Sequence, residues 1–436
     1  MPVRRPVFLK RLASPGAEAF ATLYALESFS RALLATVIPL EALKLLGDAR
    51  GVSTAFFVVS LFSLASALAV PWLIRQSARR LIYSLAFLVL AGCPLLLAGA
   101  SPGLFVAGMI CRAVAIAALS ICLSLYILDF VARRDFGRSE PLRLFYSAGA
   151  WSVGPFLGVF LGVTVHPWLP YALSAFCALA GLGYFWFLRM SENPAVKQPA
   201  GPTPSPLRYV GRYFAQPRLA LAWLLSTGRN VWWVIFFIYA PIYAVESGLG
   251  EIAGGAIVSL GTGFMFLMPV LGRVLRRVGL RAAFMFGFGM SGAMTLATPL
   301  FWSQPWSGAA VLVTAAFGLI LVDTSGNMLF MLGVRRKERP EMTAVYSTFR
   351  DAADILPPGI FSILLRVFEL QAVFVVGGAL ALGLAVLSGK IHPRLGRDVQ
   401  PALRYAAVPA AAAAPGAGTE PSEQLAAPRQ TGSGLL

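Results

Sequence analysis

Ionisable residues are scarce in this chain, with 13% of its 436 positions charged, and a few of them fall inside long apolar runs. Glu27 and Arg31 stand one helical turn apart in the run near 17–42. Asp323 and Asn327 share a face of the run near 307–332, and Arg350 and Asp354, with Asp351 beside them, repeat the i,i+4 spacing near 343–365. Arg112 and Arg229 lie deep in their runs with no acid nearby on the same stretch. A charge in an apolar segment is costly unless paired or wetted, so it faces a cavity or a bundle interior. The chemistry on offer is ion binding and reversible protonation. Glu27, Arg31, Arg112, Arg229, Asp323 and Asn327 are the expected lining of a polar cavity, and Glu27, Asp323, Asp351 and Asp354 the expected proton carriers. Pairs that merely neutralise themselves to lower the cost of insertion are an alternative account of Glu27–Arg31 and Arg350–Asp354. Packing is the simpler account of the aromatic stripe Trp233, Phe236 and Tyr243 on one run.

Bond-making chemistry fits the composition poorly. His166 and His392 are the only histidines and fall near run ends, while Cys93, Cys111, Cys122 and Cys177 sit singly in apolar runs without CxxC spacing. Neither a metal site nor a cofactor is expected from them. No Walker loop and no constellation of nucleophile, base or paired carboxylates is present, so an enzyme is not expected. The formal charge of +17 would suit nucleic acid only if it clustered on a water-exposed face, and here it is spread between apolar runs.

The elements that must hold these groups are membrane helices. At 58% hydrophobic residues and a mean hydropathy of +0.73, a water-soluble core would leave large apolar patches in solvent. Apolar runs predict spans near 17–42, 52–74, 81–99, 103–131, 142–165, 168–188, 219–245, 252–275, 282–302, 307–332, 343–365 and 370–389. Of the 36 Lys and Arg, 29 fall in alternate connections if the N-terminus is inside and only Lys44, Arg50 and Arg366 lie on the other side. That asymmetry predicts twelve spans in an inner or plasma membrane with both termini cytoplasmic. The expected organisation is a cytoplasmic N-terminus (1–16), a six-helix half (17–189), a Pro-rich cytoplasmic linker (190–218), a second six-helix half (219–392) and a disordered Ala/Pro/Gly-rich tail (393–436).

An offset of about 200 residues relates the two sets of runs. Arg79-Arg80 precede Arg281 and the Gly272–Arg281 loop by about that distance, Arg133-Arg134 precede Arg335-Arg336 by 202, and Pro39 precedes Pro241 by 202. Two homologous halves are expected.

This layout, with basic motifs after the second and eighth spans, resembles the major facilitator superfamily over roughly residues 17–392. The family's loop pattern G-x-x-x-D-R-x-G-R-R is matched by Gly272, Arg277, Gly279 and Arg281, and in the first half by Arg79 and Arg80 alone; Arg75 and Arg276 replace its Asp. Gly154, Pro155 and Gly158 are similar to a kink motif of proton-driven drug antiporters, with Ala150 in place of the first Gly. The resemblance implies a secondary transporter working by alternating access on a small solute, proton-coupled, with efflux favoured by the kink motif and an organic anion or amphiphile suited to an arginine-lined cavity. A non-transporting scaffold or assembly factor on the same fold is the alternative reading, raised by the altered loops. The resemblance also implies a cytoplasmic gate at Arg75, Arg79, Arg80, Asp129, Gly272, Arg276 and Arg277, with Asp129 as the acid that pairs with Arg75. R75A and D129A should then each impair transport or stability, and R75A/D129A should be little worse than either single variant; additive losses would leave Arg75 as a topology signal alone.

Overall fold

Interruptions set the architecture more than helix lengths do, and prolines and turn-forming residues fix where they fall. The computed structural model describes residues 17–99, 101–130, 136–188, 206–335, 338–393 and 395. Among them there is no strand.

The first pass is α1 (Ala17–Leu33) followed by α2 (Val37–Leu46). Pro39 lacks an N–H, and its ring would collide with the Ala35 carbonyl one turn back, so the helix breaks at 34–36. The Ala35 N–H turns to the Ala32 carbonyl at 3.1 Å. Then come α3 (Ala49–Gln76), α4 (Arg79–Leu97), α5 (Pro102–Phe130), α6 (Phe136–Thr164) and α7 (Leu169–Phe187). A short helix, α8 (Pro206–Phe214), precedes α9 (Pro217–Glu246). Next, α10 (Glu251–Gly263) passes through a 3₁₀ turn at Phe264–Leu267 into α11 (Met268–Val278), where Pro269 excludes the α-helical bond to Met265. Helix α12 (Leu280–Ala297) leads to α13 (Pro305–Asp323) and α14 (Met328–Gly333). Between these two lies a Thr-Ser-Gly-Asn turn in which Gly326 has φ +52°, a backbone region that side-chain-bearing residues rarely occupy. The chain ends its described course with α15 (Arg339–Tyr346), α16 (Phe349–Leu364) and α17 (Gln371–Ser388).

Ten segments among the described residues are long and apolar enough to cross a membrane. The interrupted passes α1–α2 and α15–α16 fall outside that set. The continuous helices expected near 17–42, 252–275, 307–332 and 343–365 are each broken, because apolar character runs through a turn whose residues bend the backbone. Leu95, Leu300 and Val367 are about 80% exposed while Glu27, Ser28, Ser30 and Thr36 are fully buried, an inversion that suits lipid outside and polar contacts within.

Packing repeats along the chain. Helix α1 packs on α6 and α7, α4 on α5 and α7, and α3 on α5; correspondingly α9 packs on α16 and α17, α12 on α13 and α17, and α10 on α13. The two sets meet where α6 packs on α10, α3 on α16 and α2 on α9. Helix α6 lies against the break after α1 through its glycines: a Cβ at Gly158 would collide with the Leu33 carbonyl, whereas one at Gly149 would meet open space. G158A should therefore destabilise the detergent-solubilised protein by about 1–3 kcal/mol, and G149A should leave its melting temperature unchanged. Equal melting temperatures for the two would remove this contact from the packing account.

Candidate functional site

Two carbonyls left over by interrupted helices draw in two arginines. Because the Ala35 N–H bonds Ala32, it does not need the Arg31 carbonyl, and the Arg112 guanidinium of α5 donates to that carbonyl at 2.9 Å. In the second set, the Arg229 guanidinium of α9 donates to the Gly326 carbonyl at 3.2 Å, in the turn between α13 and α14. Each arginine thereby satisfies a backbone acceptor that the helix break leaves without its usual intrahelical partner.

Their charges are balanced differently. Arg229 is ion-paired with Asp323 at the end of α13, Nε to Oδ1 at 3.0 Å, with both side chains nearly buried. The Trp233 indole N–H donates to the other Asp323 oxygen at 2.5 Å. Beside them, the Tyr346 hydroxyl donates to Asn327 Oδ1 at 3.2 Å and shares a 2.7 Å hydrogen bond with the Ser226 hydroxyl. Arg229, Asp323 and Asn327 are thus one constellation around the α13–α14 turn. Trp233 and Ser226 belong to it too, one turn on either side of Arg229 along α9, and Tyr346 is brought there by tertiary packing. Glu27 and Arg31 pair at 3.3 Å, with the acid fully buried and the arginine 6.0 Å from the centre of the Trp151 ring.

A cavity of about 270 Å³ lies between α1–α2, α3 and α5 on one side and α9 and α16 on the other. Its polar groups are Arg112, Ser60, Ser63 and Asp354, and its walls are apolar, with Phe56 and Phe237 the aromatic members. Of the residues singled out in the sequence, Arg112 and Asp354 line it, while Glu27, Arg31, Arg229, Asp323 and Asn327 lie off its wall. Arg350 does not pair with Asp354 among the described residues; its guanidinium lies 5.5 Å from the Phe349 ring centre at the start of α16, and Asp351 is half-buried beside it.

Pro155 and its glycines connect α6 to two neighbours. Gly154 and Gly158 face α1, while the missing Pro155 N–H leaves the Trp151 carbonyl for the Thr262 hydroxyl of α10, which donates at 2.7 Å. The Phe156 N–H donates to the Ser259 hydroxyl at 2.8 Å. At the loop motifs, Arg79 lies over the Tyr126 ring at 5.3 Å, a Cβ at Gly272 would meet Thr324 at ordinary van der Waals distance, and Arg80, Arg276 and Arg277 are exposed. The side chains of Arg75 and Asp129 lie outside the described residues. A further tie joins the sets at the end of α2, where Lys44 contacts Glu41 and Glu251 at 2.9 Å each. Burial works against its ammonium, but the hydrogen bonds to Glu41 and Glu251 outweigh it and raise the Lys44 pKa. With a raised lysine pKa, the stabilisation is complete below the ordinary lysine value and is lost only as pH climbs through the raised one, so Lys44 stays charged throughout the neutral range.

The buried pair predicts a specific pattern of stability. D323N leaves the Arg229 charge unpaired and should cost about 3 kcal/mol, while R229Q/D323N, which keeps neutral partners in place, should lose clearly less. Thermal melts in detergent decide this; a double variant as unstable as the sum of the singles would mean that the pair is not coupled.

No curated protein matches the chain in sequence. Among solved structures, a POT family transporter in complex with 5-aminolevulinic acid superposes with a TM-score of 0.68 at 12% identity, covering 85% of this chain and 94% of its own. A peptide transporter POT in complex with sulfate gives 0.67 at 14% identity, covering 87% and 94%. The nucleoside transporter NupG gives 0.63 at 13% identity, covering 85% and 98%. At these identities the likeness is one of fold. The family model described as Major Facilitator Superfamily matches residues 20–358, most of the chain. With helices of this number, apolarity and packing beneath that match, the chain belongs to the Major Facilitator Superfamily and is a multi-pass membrane transporter.

Proposed function

We propose that this transporter moves a small organic solute bearing an anionic group across the cell membrane by alternating access, with proton coupling and in the direction of efflux. The observation that carries the reading is the cavity itself, which is walled by α3 and α5 of one set and α9 and α16 of the other, with Arg112 contributed from one side and Asp354 from the other. A solute held there touches both sets, so rocking one against the other would change the side to which it is exposed. In this reading twelve helices form two six-helix halves, 17–189 and 219–392, joined by a cytoplasmic linker at 190–218, with both termini cytoplasmic. The repeated packing pattern supports the halves, and the Lys/Arg asymmetry supports the orientation.

Proton coupling falls to Asp323 in the first instance. Protonating it would remove the counter-charge of Arg229, whose other contact holds the α13–α14 turn at Gly326. A proton would thereby loosen an interrupted helix packed on α9, a local charge change acting on a bistable element. Glu27, Asp351 and Asp354 are the other candidate carriers. Efflux rests on the Gly154-Pro155-Gly158 motif, which lies where α6 meets both α1 and α10.

A ligand panel scored by thermal shift identifies the solute, since a true substrate stabilises the folded state by mass action. In sealed vesicles the purified protein should then move that solute in response to an imposed pH gradient. R229Q/D323N should lose gradient-driven movement and retain counterflow. Gradient-driven movement unchanged in that variant would take Asp323 out of the coupling, and a wild-type protein that moves no stabilising solute would favour the scaffold reading that Arg75 and Arg276 raise.

A further inference from the structure

We infer that the cavity between α5 and α16 recognises an amphiphilic zwitterion, a small solute whose carboxylate meets Arg112, whose cationic group meets Asp354 and whose apolar body fills the space between. This rests on the reading of that cavity as the solute site and deepens it. The argument begins with charge. Glu27 is paired with Arg31 and Asp323 with Arg229, so those buried charges are already answered. Arg112 is not answered in the same way: its hydrogen bond goes to the neutral Arg31 carbonyl, its Nε is buried without a hydrogen-bond partner, and among the described residues no acid lies in ion-pair contact with it. Asp354 likewise has no ion-pair partner among the described residues; its backbone carbonyl accepts from the Ser60 hydroxyl at 2.9 Å, which fixes the α16 backbone on α3 and leaves the carboxylate to the cavity.

A cation and an anion without close ion-pair contacts therefore share a single apolar-walled space, the anion on an exposed residue with Arg31 and Arg350 in its surroundings. A simple organic anion would neutralise Arg112 and leave Asp354 facing apolar walls, and a simple amine would do the reverse. In each case one charge is left without a close partner, at the larger cost for Arg112, whose Nε is buried, than for the more exposed Asp354. A zwitterion answers both at once and brings no net charge into the bundle. The guanidinium fork suits a carboxylate, which it can engage through two parallel N–H donors. The middle of the solute meets Phe56 and Phe237, and the hydroxyls of Ser60 and Ser63 add neutral polar contacts. At about 270 Å³ the space lies at the small end of ligand-sized cavities, room for a body of amino-acid size.

The test uses three probes with one apolar body: phenylalanine, 3-phenylpropanoate and phenethylamine, measured by calorimetry on the full-length purified protein. A second series, leucine, 4-methylpentanoate and isopentylamine, guards against a poor fit of the ring. The zwitterion of at least one series should bind tenfold or more tighter than its anion and its amine. D354N should shift the preference to the anion and R112Q to the amine, while R112K, which keeps the charge and loses the fork, should keep the order with weaker binding. Equal or tighter binding of an anion or amine by the wild type, an unchanged order in D354N and R112Q, or no saturable binding in either series would overturn the assignment. If a variant does not fold, as judged by its elution profile, the wild-type ranking alone decides. Zwitterion binding without vesicle transport would defeat the transport reading and leave this one standing, whereas transport of an anion excluded from this ranking would do the opposite.

Discussion

Two backbone carbonyls freed by helix breaks are each met by an arginine reaching across from another helix, and much of the polar interior is arranged around these two bonds. Both arise where a helix stops and restarts, after α1 and after α13. Both are met by arginine from a different helix, Arg112 on the Arg31 carbonyl and Arg229 on the Gly326 carbonyl. A guanidinium suits the task because it stays charged and carries several donors in a rigid plane, so that one bond can go to a carbonyl while others remain for an acid or a solute. The solution to a hydrogen-bonding problem thus creates a charge problem. Asp323 resolves it for Arg229. For Arg112 it is left open at a cavity wall, and a ligand can supply what the protein omits.

The two packed sets meet through polar ties as well as close glycine packing, Gly255 of α10 against Pro155 and Phe156 of α6 and Gly359 of α16 against Phe57 of α3. Across α6–α10, α3–α9 and α3–α16 the polar ties include single hydroxyl bonds: Thr262 to the Trp151 carbonyl, Ser259 with the Phe156 N–H, Ser53 with Tyr239 and Ser60 to the Asp354 carbonyl. Bonds of this type contribute about 1 kcal/mol net, because a separated hydroxyl finds water instead. The half-exposed Lys44 tie to Glu251 is of the same modest order. Within a set, α1 and α7 exchange two reciprocal hydroxyl–carbonyl bonds between Ser30 and Ser174, and α1 meets α6 at glycines too close to admit a methyl group.

The sequence made the membrane setting, the helix positions and the repeat legible because each is written in a local signal: apolar length, charge asymmetry and a fixed offset. The residues with chemistry were legible for the same reason, since a charge in an apolar run is conspicuous. Their partners were not. Nothing in the spacing of Arg229 points to Asp323 some 90 positions on, although Trp233, which bonds the same carboxylate, stands one helical turn from Arg229. Glu27 and Arg31 could be paired in advance because a helix turn alone brings them together, yet the same spacing misleads for Arg350 and Asp354, where the first turn of α16 lets the arginine swing to the Phe349 ring. The breaks after α1 and α13 were hidden in apolar runs, although Pro39 and the Thr-Ser-Gly-Asn turn that cause them are plain once the backbone is seen.

The repeat also separates what the scaffold demands from what the site is free to change. At the 202-residue offset Glu27 corresponds to Arg229, so equivalent positions carry opposite charges. Each still finds a partner inside its own set, the acid on α1 itself and the arginine on α13. Helix packing is repeated because it depends on small residues and apolar faces, which both copies keep. Charge placement is not repeated, because any arrangement that balances itself or its ligand is tolerated. The same freedom operates between this chain and solved transporters that share its fold at 12–14% identity. Their cargoes therefore carry no weight for this one, and the two unanswered charges at its own cavity wall do.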